Sequence, residues 1–132
     1  MRIGHGLNIM QRPEILPHCK NICIEKNPLS NLILGYNEDV RHSSTPLLVG
    51  MGYPVSISPD DPGKFWCDDA TEDYFVAAVA YNWTLKHLKL VAYHSINHAL
   101  CDESIKDRLV KEFDLEWDKW IKNFLGLQSM PE

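Results

Sequence analysis

The sequence is poor in the features that mark several function classes. No apolar run approaches the roughly 18 residues of a membrane-spanning helix. No cluster of Lys and Arg occurs, and a formal net charge of −5 argues against a nucleic-acid surface. The lysines of the last third are interleaved with acids, as on a solvated helix face. Cysteine is sparse: Cys19, Cys23, Cys67 and Cys101 are the four in 132 residues. None forms a CxxC knuckle, so a disulfide-dense fold is disfavoured, and four mostly buried thiols are the better reading. Repeats, low-complexity tracts and a leader-like opening are also absent.

What is present suits a packed domain. Hydrophobic residues make up 45% and aromatics 10% of the chain, ample for one core, and residues 1–132 read as a single region. The first two-thirds alternate strand and helix signals. Arg2 to His5 is strand-like but short, and Glu14 to Lys20 reads as a short helical stretch. Ile22-Cys23-Ile24-Glu25 is β-prone and is closed by Asn27-Pro28. Leu32 to Leu34 and Gly35 lead into a polar loop, Tyr36 to Ser44. Pro46 opens a helix ending near Gly50 or Gly52, and Pro54 to Ser58 is a second clear strand. Helices follow. Glu72 to Tyr81 is apolar almost all round, which predicts a buried helix. Thr84 is a suitable N-cap for Leu85 to Leu100. Asp102 precedes a last helix in which Ile105, Leu109, Phe113, Trp117, Ile121 and Phe124 recur at helical spacing, with Gly126 as its stop. The alternation implies a parallel α/β sheet, yet about three strands leave open edges. The chain therefore reads as about three β/α units plus C-terminal helices, the closing part of something larger.

Few residues are placed for chemistry. His94 and His98 stand at i and i+4, a spacing able to hold zinc, but lack an HExxH glutamate; a surface or core-edge pair is the better reading. Trp117 and Trp120 read as packing residues. Asp68-Asp69 and Glu72-Asp73 look like helix N-terminal acids. Asn82-Trp83-Thr84 is a glycosylation sequon, mildly in favour of a secreted protein. The HxE…PCxxC zinc pattern is absent.

Two motifs remain, each like the C-terminal end of a barrel strand: Arg2-Ile3-Gly4-His5-Gly6 and Ser58-Pro59-Asp60-Asp61-Pro62. Glycines on both sides of His5 allow a sharp turn and leave the imidazole unobstructed, able to orient a metal-bound water or take its proton. Asp60 and Asp61 cannot both point the same way if strand geometry persists, so one can bind a metal while the other faces a substrate. A donor or cation is expected beside such a pair. Taken singly, each motif also fits an ordinary turn.

Taken in order, the motifs resemble the adenosine deaminase superfamily, and within it the secreted adenosine deaminase-related growth factors. The resemblance runs through Arg2-Ile3-Gly4-His5-Gly6 and Ile22-Cys-Ile-Glu25-Lys-Asn-Pro28-Leu-Ser30-Asn31. It continues through Gly52-Tyr-Pro54-Val-Ser-Ile-Ser58-Pro-Asp60-Asp61-Pro62, Tyr74-Phe75, Leu88-Lys89-Leu90 to Ser95-Ile96, and Glu116-Trp117-Asp118-Lys119-Trp120-Ile121. It implies the C-terminal portion of a TIM (β/α)8 barrel, with the active site at the C-terminal strand ends. It implies zinc-dependent deamination of adenosine or deoxyadenosine to inosine-type products, in an extracellular setting. The position of His5 would orient the attacking hydroxide. Asp60 would be a zinc ligand in contact with that water, and Asp61 would hydrogen-bond the purine.

The sequence also departs from the pattern. The family's H-x-H and H-A-x-E segments, which supply zinc-binding histidines and a catalytic glutamate, do not occur in these 132 residues. Lys26-Asn27 stands where the pattern has V-C, and Pro59 replaces a residue carrying an N–H just before Asp60. With Asp60 alone among the expected protein ligands, the expectation is a chain that by itself binds zinc weakly or not at all and does not turn over. A different class of reading is a non-enzymatic, diverged copy acting by binding, as in nucleoside capture or growth-factor-like signalling. The open sheet edge would be completed by an N-terminal half or by a homodimer partner.

Overall fold

A computed structural model describes residues 1–65 and 68–126. The chain forms two compact units, Met1–His98 and Ala99–Glu132. In the first, three short strands form a parallel sheet in the order β1 (Arg2–Gly4), β2 (Cys23–Lys26), β3 (Val55–Ile57). Ile24 of β2 is central: it lies opposite Ile3 on one side and Val55 on the other. Its N–H donates to Pro54 O at 2.9 Å, and Ser58 N–H returns to Lys26 O at 3.0 Å, so β3 is tied to β2 at both ends. Side chains alternate, placing Ile24 and Lys26 on one face and Cys23 and Glu25 on the other.

The connections are short and mostly irregular. Between β1 and β2 the predicted helical stretch shrinks to a 3-10 turn, Leu16–Cys19. Pro17 inside it has no N–H to continue a ladder. Between β2 and β3 lie α1 (Pro28–Ile33), a 3-10 turn at Val40–His42, and α2 (Thr45–Gly50). Helix α1 has no counterpart in the sequence reading, because six residues are too few to show a period. Its signals are punctuation: Pro28 in the first turn and Gly35 at φ +72° just past its end.

After β3 come α3 (Pro62–Phe65), α4 (Thr71–Ala80) and α5 (Leu85–Asn97). The core gathers Ile24, Leu48, Val55, Ala77 and Val91, all fully buried, with Ile9, Leu16, Tyr53 and Ile57 around them. The expectation of a buried α4 is corrected. Phe75 and Val79 are 68% and 69% exposed, and its buried residues are Asp73 and Ala77. The helix packs one side against α1 and the Val40–His42 turn, so an apolar circumference is not all used.

Helix α5 begins with a capping box: Thr84 and His87 bond reciprocally, with Thr84 N–H donating to His87 Nδ1 at 3.2 Å. Further along, His94 meets the outer edge of β3. Its Nδ1 lies 3.1 Å from Val55 N and 3.2 Å from Val55 O. The core-edge reading of this histidine is the observed one.

The second unit is built on α6 (Glu103–Phe124). Asp102 occupies its N-cap position through the backbone, accepting from Ile105 and Lys106 N–H, and Gly126 ends it at φ +67°. Its aromatics meet in succession along the helix, Phe113 to Trp117 to Trp120 to Phe124, with ring centroids 5.5–5.8 Å apart and the last pair stacked. No residue of α6 is fully buried. Among the described cysteines, Cys19 and Cys23 are buried free thiols and Cys101 is a half-buried one; Cys67 lies outside the described residues. No described helix is long and apolar enough to cross a membrane.

Candidate active site

At the end of β1 the chain turns through two left-handed residues, His5 at φ +56° and Gly6 at φ +53°. Glycine is required at the second: a Cβ on Gly6 would stand 2.8 Å from Ile24 Cγ2, inside the buried sheet face. The turn swings the His5 side chain toward the end of β2. There Nδ1 donates to Asn31 Oδ1 at 2.7 Å, and Tyr36 meets the ring edge-on at 6.1 Å between centroids. With its proton on Nδ1, the ring presents Nε2 as the nitrogen that can give or take a proton.

Strand β3 ends at Ile57, and Asp60 also adopts a left-handed conformation, φ +67°. Pro59 does not prevent its aiming. The Asp60 N–H donates to Ser58 Oγ at 3.3 Å, and the carboxylate turns inward. Ser30 Oγ donates to Asp60 Oδ2 at 2.6 Å, and His5 Nε2 lies 3.4 Å from the same oxygen. The donor expected beside the aspartate pair is therefore Ser30, and His5 Nε2 stands next to the same oxygen. Both side chains are partly open, 29% for His5 and 27% for Asp60, so a small molecule can reach them.

Asp61 parts company with Asp60, though not by strand alternation. It is exposed, and its backbone oxygen accepts from Lys64 and Phe65 N–H to start α3. The structure brings His5 and Asp60 together and leaves Asp61 at the rim.

Sequence reasoning quoted Ser30 and Asn31 only as part of a pattern and gave them no task. They are what holds the pair, one bonding Asp60 and the other His5. The signal was their position directly after a strand end. Asp73 lies in the first turn of α4, as read from the sequence, and is also buried, accepting Leu29 N–H at 2.9 Å and tying α4 to α1; burial pushes its carboxyl pKa up.

The two residues that depart from the family pattern are also built in. Lys26 is 2% exposed, and Nζ donates to His5 O at 2.7 Å, Ser44 Oγ at 3.2 Å and Gly6 O at 3.3 Å. Burial lowers its pKa to about 8. Asn27 donates to Ser58 O at 3.2 Å, while its own Oδ1 is buried without a partner. Lys26 thus ties β2 to the β1 turn, and Asn27 ties it to the β3 exit.

The donor set does not by itself fit a catalytic zinc. Such a site takes about three protein ligands. Among the described residues no group of three His, Cys, Asp or Glu could hold a metal. What these residues can do is hold an imidazole and a carboxylate in register and pass a proton at Nε2.

The profile of the adenosine deaminase family matches residues 1–116. The chain belongs to the adenosine deaminase family. An adenosine deaminase of Phlebotomus duboscqi is 33% identical over 127 residues, 92% of this chain and 25% of that protein. An adenosine deaminase 2 of Dictyostelium discoideum is 33% identical over 131 residues, 97% of this chain and 24% of that protein. The adenosine deaminase 2 of Homo sapiens is 32% identical over 125 residues, 91% of this chain and 24% of its own length. The chain thus spans about a quarter of these curated relatives.

Among solved structures, an adenine deaminase from Arthrobacter aurescens superposes with a TM-score of 0.80 at 22% identity, over 89% of this chain and 36% of that one. Arabidopsis ADAL in complex with GMP gives 0.76 at 20%, over 87% and 34%. The fold is the C-terminal portion of the adenosine deaminase barrel, as expected, with three parallel strands and their helices.

Proposed function

We propose that this chain furnishes the closing part of a zinc-dependent deaminase site acting on adenosine or deoxyadenosine. His5 and Asp60 are the catalytic residues, Asp60 is a metal ligand and Asp61 a purine-binding residue. The observation that carries the proposal is the meeting of His5 Nε2 and Asp60 Oδ2 at 3.4 Å, at the C-terminal ends of β1 and β3. Two residues distant in sequence are joined there through Ser30 and Asn31 of the intervening unit. Barrel enzymes place chemistry at that end of the sheet. In this reading Asp60 would be one of the residues holding zinc, and the metal, when bound, would supply an activated water. The chain's own residues orient the imidazole and carboxylate and shuttle a proton at His5 Nε2. With one metal-binding carboxylate in the described cluster, the 132 residues alone do not turn over.

A second reading, a non-enzymatic copy acting by binding, is favoured by the incomplete donor set. One experiment separates the two. The C-terminal quarter of the Phlebotomus duboscqi relative is replaced by this chain, and adenosine loss is followed by ultraviolet absorbance. The expected result is EDTA-sensitive conversion by the chimera, lost by a factor of about 100 or more in Asp60→Ala. The isolated chain should show none. A folded, zinc-loaded chimera without activity would overturn the catalytic reading, and EDTA-sensitive turnover by the isolated chain would overturn the claim that it is inactive alone.

A further inference from the structure

We infer that Lys26 is a positioning residue for His5, acting through the backbone of the β1 turn. The inference rests on the proposed site, since His5 is its target. An ammonium group has three N–H donors, and here each has an oxygen: His5 O at 2.7 Å, Ser44 Oγ at 3.2 Å, Gly6 O at 3.3 Å. Two of these acceptors are the carbonyls of the consecutive left-handed residues that aim the imidazole. A left-handed conformation at a histidine is uncommon and persists where surroundings hold it. Lys26 provides that hold from the buried face of β2, where Ile24 already presses on Gly6. It also binds the turn to Ser44, at the start of α2, so β1, β2 and the segment before α2 share one cation.

The placement separates positioning from ligand binding. With all three N–H groups used on the protein, the ammonium has none left to offer a substrate. Valine, which the resemblance suggests at this position, keeps an apolar stem on the buried face of β2 and removes only the ammonium. The effect of removing the cation should then fall on the turn and its histidine more than on the core.

The test is nitrogen-15 NMR of the His5 ring in the full 132-residue chain near neutral pH, for wild type, Lys26→Val and Lys26→Gln. Wild type should show one ring state, with the proton on Nδ1 bonded to Asn31. Lys26→Val should keep the native amide spectrum of β2 and β3 and lose that single state, giving averaged ring nitrogens and a broadened Gly6 amide. Lys26→Gln, which keeps an amide donor, should fall between the two. If Lys26→Val does not fold, Lys26→Gln alone carries the comparison. A folded variant whose His5 ring signals match wild type would overturn the inference. The readout needs neither metal nor substrate, so it can fail while the deaminase reading stands, and the chimera can be inactive while it holds.

Discussion

Gly6 is the residue whose identity is least negotiable. Its positive φ disfavours any side chain, and a Cβ would meet the methyl of fully buried Ile24 at 2.8 Å. Strain and overpacking act together, so Gly6→Ala should cost roughly 2–5 kcal/mol in denaturant unfolding. A loss under about 0.5 kcal/mol would mean that the turn relaxes freely. His5, Asp60 and Asp61 were legible as candidates, with Gly6 as the glycine that lets the chain turn, because glycines around a histidine and paired aspartates before proline are local patterns. Lys26 was legible only as an oddity. Its burial depends on α2 and the β1 turn lying over the same strand face, which no local window contains.

At the level of elements, the edge of β3 depends on α5. Val55 presents both N–H and C=O outward, and His94 Nδ1 lies within reach of each. One nitrogen can serve one of them at a time: neutral, it accepts the N–H; protonated, it loses that bond and must donate to the carbonyl. Burial lowers the His94 pKa below its ordinary 6.5, outweighing the Val55 bond that raises it. The unfolded chain therefore binds this proton at a higher pH than the folded one. Stability from His94 is present above 6.5 and falls away as the pH drops through the lower folded value. Urea midpoints should decline as the pH falls below 6.5, and His94→Gln should flatten that component. Buried Asp73, whose pKa is raised, acts with the opposite sign at lower pH, so the difference between wild type and variant is the quantity to read. An unchanged slope in His94→Gln would remove the imidazole from the account.

At the scale of the whole molecule, three parallel strands are too few to close a barrel, and the matched region is about a third of the solved structures it superposes on. Among the described residues β1 pairs only with β2, leaving one edge of the sheet unpaired, the kind of edge that recruits another strand. The chain is accordingly expected to self-associate. Light scattering over a concentration series should show a rising mass, and a constant 15.2 kDa species with cooperative unfolding would count against it.

Sequence by itself determined the parallel α/β class with about three β/α units, the helices from α4 onward and the identity of the two strand-end motifs. Each of these rests on short-range patterning: β-prone runs closed by Asn27-Pro28 and Ser58-Pro59, a cap at Thr84, a helical period from Ile105 to Phe124. Tertiary structure alone decided which residues meet. The short α1 lacked a period, the apolar circumference of α4 met a partner on one side only, and Asp73 was drawn inward by a backbone N–H from another element. The Ser30–Asp60, Asn31–His5 and Lys26–His5 bonds exist because three parallel strands end at one level. Local pattern cannot encode that coincidence, because the partners lie in different β/α units.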